Sequence, residues 1–401
     1  MKLATDLERG RAPRAILSTA METSRTHNKK IGIARLIAYN IAILGLLLVI
    51  IEGLASYTLI IRDFIKTRSV AEQQHTKYDP DLGWVNKANL YIPDMYGTGV
   101  YLRTNVQGFR NDHDIATSVP SGRARLICSG DSFTLGYGVD NAHAWCEQLS
   151  LLEPRLETVN MGQGGYGIDQ AYLWYKRDAA KIAHQVQILA FITNDFYRMQ
   201  SDSFGGYPKP IPGIENATLV FKNVPIPKLV YYFPWNPQNI SVVKQLRTVD
   251  FLNRALEKLR DATTGTTQLT KRERNGKPQE VLHKILEDLK RINEQRSSKL
   301  VLVYLPTIYE LQAKGPREWT EFLEEESRSL GIPFINLYSE FLSLSENDMV
   351  KLFIPQGQWA YRGAAGHFNE AGNTLVAKAI YDKLMNDPAI SSALSARWNH
   401  R

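Results

Sequence analysis

Five short apolar runs, separated by segments of helical periodicity, constrain this chain most: "ARLICS" (124–129), "ETVNM" (157–161), "VQILAFI" (186–192), "KLVLVYL" (299–305) and "PFINL" (333–337). Runs apolar on consecutive residues suit strands buried on both faces, and their alternation with amphipathic helices is the pattern of a parallel sheet with crossover helices. The helices are expected near 142–152, 169–182, 279–296, 317–330 and 370–385. In the last, Val376, Ile380 and Leu384 recur every fourth residue and give one buried stripe. The reading is an α/β domain over 123–390.

Ahead of that domain lies "LIAYNIAILGLLLVIIEGLASYTLII", residues 36–61, whose clearly polar members are Asn40, Glu52, Ser56 and Thr58. At about 1.5 Å per residue it covers a hydrocarbon core that needs roughly 20 residues, so one transmembrane helix is expected. Residues 1–35 hold eight basic residues against three acidic ones, so five of the net +7 charges belong to this tail. The basic excess is a tail property and no nucleic-acid partner is expected. It sets the N-terminus in the cytoplasm and the domain outside, across the plasma (bacterial inner) membrane in the periplasm. A charged leader this long exceeds a signal-peptide n-region, so the segment reads as an uncleaved signal anchor with the lipid bilayer as its partner. Glu52, near the far end, is expected to snorkel to the interface. The two cysteines, Cys128 on an apolar strand and Cys146 on a helix, are expected as two buried thiols rather than a pair.

Residues 62–122 form a connector and a β-rich preface, with β-like pieces around Tyr91 and Val100–Thr104. Residues 197–278, rich in Pro and Gly, make an insertion between the third and fourth strands. Its "YYFPWNP" (231–237) reads as a small aromatic core before a sugar-stacking platform.

Ligands of parallel α/β sheets gather at the carboxyl ends of the strands. Strand one ends in "SGDS", where Ser132 is either a helix cap or a nucleophile. Strand two ends in "NMGQGGYG", whose Gly162 amide can approach a developing negative charge without a side chain in the way. Strand three ends in "FITNDF", where the Asn194 carboxamide can donate to the same oxyanion. Before the last helix, "GHFNEAGN" offers His367 as a general base. No HExxH or similar pairing accompanies the other histidines, so neither a metal nor another cofactor is expected.

Taken in this order, the four blocks resemble the SGNH/GDSL hydrolase family, most of all through "GDSFTLGYGV" and "GHFNEAG". The resemblance spans roughly Ala124 to Leu384, and "DLGW" (81–84) with "TNVQGFR" (104–110) is similar to a membrane-tethered branch. It implies a three-layer α/β/α flavodoxin-like domain. It also implies Ser132 as nucleophile, His367 as base, and an oxyanion hole made by the Ser132 and Gly162 amides with Asn194. Ile192 stands where the family has glycine, and Ala364 where it has the triad's acid. Another acid (Glu370, Asp195 or Asp131) or a backbone carbonyl must then orient His367. The function implied is a serine esterase removing a small acyl group, such as acetyl, from an extracytoplasmic glycan. An acyltransferase with the same site and a non-catalytic glycan-binding scaffold are the alternatives.

Overall fold

The computed structural model describes residues 14–66, 74–205, 207–228, 246–249, 251–252, 255–256, 277–313, 318–357 and 361–398. The aromatic run at 231–237 lies outside them.

Strands Ala124–Gly130, Leu156–Gly162, Val186–Phe191, Lys299–Tyr304 and Phe334–Asn336 form one parallel sheet. Numbered along the chain, their spatial order is 2-1-3-4-5, the flavodoxin-like order. Every residue of the first three strands is buried, which is why their sequences are apolar on consecutive positions. Winding reverses after the second strand, so right-handed crossovers set the helices on both faces. Trp145–Leu152 packs with Glu370–Asn386, while Ile168–Trp174 packs with Pro278–Gln295. The helix Pro278–Gln295 starts on a proline and buries Val281, Leu282, Ile285, Leu286, Leu289 and Ile292, a stripe at three- and four-residue spacing. The reversal sets the topological switch point between strands one and three, whose ends lead to Ser132 and Asn194.

Several expectations are corrected. The domain runs past 390, since Pro388–Trp398 is a further helix that buries Ile390 and Leu394. Residues of the 197–278 insertion fall in two compact units. Its hairpin, Ile211–Glu215 with Thr218–Lys222, belongs to the compact unit that holds the sheet, whereas its described residues 246–249, 251–252 and 255–256 fall in a second unit with residues 14–61. Cys128 and Cys146 form a disulfide with Cα atoms 6.2 Å apart, the helix Trp145–Leu152 packing on strand two beside the strand that carries Cys128. Closing such a loop contributes about 3 kcal/mol in the chain-entropy view.

The second unit is built on one helix, Arg14–Lys66, of which Arg35–Leu59 is long and apolar enough to cross a membrane. Glu52 does not snorkel. It is 8% exposed, and its carboxylate accepts from the Arg247 amide and from the amide (3.0 Å) and hydroxyl (2.6 Å) of Thr248.

Candidate active site

Asp131 follows the first strand and starts the turn that comes next. Its Oδ1 accepts the Phe133 amide at 2.8 Å, capping the single helical turn Ser132–Leu135. Ser132 is the first residue of that turn, so its own amide has no intrahelical acceptor. Gly136 closes the turn in the left-handed region (φ 87°), donating to the Ser132 carbonyl.

The histidine loop is held by the rest of its own motif. Asn369 Oδ1 caps the last long helix at Gly372 N (3.0 Å), and Asn373 accepts from Trp145 N (3.0 Å) while donating to the Phe368 carbonyl (3.0 Å). Phe368 is buried against Phe353 and Phe341. The loop therefore presents His367 to the Ser132 turn, with Nε2 2.7 Å from Ser132 Oγ across 235 positions of sequence. Phe133 and Tyr137 flank the imidazole, their ring centroids 4.4 and 5.3 Å from its own.

Nδ1 of His367 faces the Ala364 carbonyl at 3.2 Å. A carbonyl can only accept, so the proton sits on Nδ1 and Nε2 is left as the basic nitrogen toward Ser132. None of the three candidate acids makes that contact. Glu370 lies 3.8 Å from His143 Nε2. Asp195 accepts the Ile192 amide (3.0 Å) and Arg198 Nη1 (2.7 Å). Asp131 is on the serine side, its Oδ2 3.0 Å from Arg198 Nη1 and 3.4 Å from Ser132 Oγ. The position of the missing acid is instead part of an apolar cluster, where Ala364 is fully buried with Tyr96, Tyr137 and Ile354.

The surrounding packing lowers His367 to about 4, with Asp131's charge and the Ala364 carbonyl pulling against it. The imidazole is therefore neutral far below the ordinary 6.5. We expect the acid limb of kcat/KM on a soluble aryl acetate near pH 4, and a limb at ordinary imidazole pH would contradict this environment. The linked stability effect has the same direction. The fold prefers neutral His367, so its contribution is full above pH 6.5 and is lost as pH falls toward 4. Asp195 is held well above the usual carboxylate range by burial and by the Asp131 charge, against the pull of Arg198.

Two of the three expected oxyanion donors are open. The Ser132 amide and the exposed Asn194 side chain, at the start of the helix Thr193–Met199, have no hydrogen-bond partner among the described residues. Gly162 corrects the sequence reading. Its amide donates to Asn160 Oδ1 at 2.9 Å, so it is already committed. The reason for glycine there is close approach: a Cβ would collide with the Thr134–Leu135 backbone of the nucleophile turn. Three residues on, Gly165 takes a left-handed conformation (φ 76°), and its amide has no partner among the described residues.

Two preface motifs prove to be supports for the site, which local pattern did not reveal. Arg110 of "TNVQGFR", 1% exposed, donates to the carbonyls of Leu135, Gly136 (2.6 Å) and Val139 (2.5 Å) directly after the nucleophile. Trp84 of "DLGW" donates to the Gly164 carbonyl at 2.8 Å, and Asn86 accepts from Gln163 at 3.0 Å. Each holds one of the two loops that converge on the serine. Only the long-range contacts carry that information.

No family model and no curated protein matches the chain. Among solved structures it is similar to a member of the lipolytic protein G-D-S-L family from Veillonella parvula, with 14% identity and a TM-score of 0.36 over 65% of this chain and 97% of that one. A putative lipolytic protein of the same family from Desulfitobacterium hafniense matches with 13% identity and a TM-score of 0.36, over 65% of this chain and 99% of that one. An acetyl xylan esterase matches with 14% identity and a TM-score of 0.36, over 65% of this chain and 99% of that one. Scores this low leave the functional reading to the site geometry.

Proposed function

We propose that this chain is a membrane-anchored serine esterase of the SGNH/GDSL kind, cleaving a small acyl ester, such as acetyl, on an extracytoplasmic glycan. The observation that carries the reading is the 2.7 Å contact between Ser132 Oγ and His367 Nε2, with the opposite ring nitrogen held by a carbonyl. His367 Nε2 takes the hydroxyl proton as Ser132 Oγ bonds to the ester carbon. The same proton then leaves with the departing alcohol as the ester C–O bond breaks. Water, activated in turn by His367, releases the acid and restores the serine. The base works as a dyad, oriented by the Ala364 carbonyl without a third carboxylate. The oxyanion is received by the Ser132 amide and the Asn194 side chain.

The disulfide supports the outer side of the membrane, because such bonds persist in oxidising compartments. The basic N-terminal tail supports the same orientation.

The test is a fluorophosphonate adduct followed by product analysis. The expected adduct is on Ser132, with the phosphoryl oxygen against Ser132 N and Asn194 Nδ2 in its crystal structure. With an acetylated oligosaccharide, free acetate is expected. Acetyl groups appearing on an added sugar acceptor would replace hydrolysis by transfer, and a folded protein that neither labels nor turns over would leave a scaffold alone.

A further inference from the structure

The membrane helix has one buried face. Glu52, Ala55, Ser56 and Leu59, at helical spacing, are at most 8% exposed, while Leu44, Leu48 and Leu54 on its other sides are 58–63% exposed. The buried carboxylate of Glu52 is satisfied by residues 247 and 248 of the insertion, nearly 200 positions away. Residues 247–249, 251–252 and 255–256 are helical, so Glu52 caps the start of a second helical segment in the same compact unit.

That contact determines depth. Within the span Arg35–Leu59, centred near residue 47, Glu52 lies about 8 Å from the midplane of a hydrocarbon core roughly 30 Å thick. The start of the second segment is therefore held several ångströms inside the outer edge of the core. Its side chains match that position. Leu246, Val249, Leu252 and Leu256 recur at three- and four-residue spacing and are 44–61% exposed, whereas Arg247 is buried. An exposed row of apolar side chains at this depth meets acyl chains rather than water, which is the arrangement of an interfacial helix.

From this we infer that residues 246–249, 251–252 and 255–256 belong to a second membrane-contacting segment, clamped to the anchor by Glu52 and laying its apolar row into the outer leaflet. Its occupant is lipid. The inference rests on the membrane-anchor reading above.

The test uses the full chain in phosphatidylethanolamine–phosphatidylglycerol proteoliposomes. Leu252→Cys, Leu48→Cys in the span and Lys351→Cys on the exposed surface are each labelled with a nitroxide; the native cysteines are paired. Collision with oxygen is compared with collision with a nickel chelate. Labels at 252 and 48 are expected to favour oxygen several-fold, and the label at 351 to favour nickel. Nickel-accessible 252 beside lipid-buried 48 would overturn this inference alone. Nickel-accessible 48 would overturn the anchor reading and this one with it. In a Glu52→Leu background the label at 252 is expected to move toward nickel accessibility, and an unchanged ratio would remove Glu52 as the clamp.

Discussion

Ser132→Ala is expected to lower kcat/KM on an aryl acetate by about 10⁴–10⁶-fold, with the thermal unfolding midpoint almost unchanged. The hydroxyl makes its close contact with His367 and a long one with Asp131, and the backbone of the turn is held by Asp131, Gly136 and Arg110 instead. Removing Oγ takes away the bond-forming atom and leaves those supports in place. Steady-state kinetics with a circular-dichroism melt checks both halves. Substantial remaining activity in a folded variant would mean that another nucleophile serves, and the proposed chemistry would fall.

Arg198→Met is expected to cost about 3–5 kcal/mol of stability near neutral pH. One guanidinium nitrogen bridges Asp131 Oδ2 (3.0 Å) and Asp195 Oδ1 (2.7 Å), two carboxylates that are 1% and 2% exposed. Methionine keeps the stem and leaves two buried acids facing each other without the cation between them. The folded state would then bind a proton more tightly than the unfolded chain does, so the penalty grows with rising pH and shrinks in mild acid. Urea unfolding at neutral and mildly acidic pH measures this. An equal penalty at both would mean that the loss is one of packing alone. Activity is expected to fall as well, because Asp131 caps the nucleophile turn.

The strands were legible because the first three are buried on both faces and the fourth along all but its first residue, which makes their sequences largely apolar, a local property of composition. Ser132 and His367, which the fold brings into contact, stood out in the sequence for another reason. Motifs at strand ends carry residue types that a packed core does not require. Gly162 was legible as a glycine but its reason was not, since only the fold shows Asn160 taking the amide and the nucleophile turn pressing on its α-carbon. The disulfide was missed because strand and helix packing, rather than spacing, brings Cys128 and Cys146 together. Glu52 was misread for a similar reason. Its partners lie in the insertion, and nothing in the apolar run around it points there.

By itself, the sequence determined the element order, the sheet, a segment able to cross a membrane and the residue types available for chemistry. All of these follow from short-range periodicity and composition. Only the tertiary structure decided what holds His367, which amides are open, what Arg198 neutralises and where Glu52 docks. Each of those is a contact between distant parts of the chain, and its energy depends on burial and a few tenths of an ångström, which no local pattern encodes.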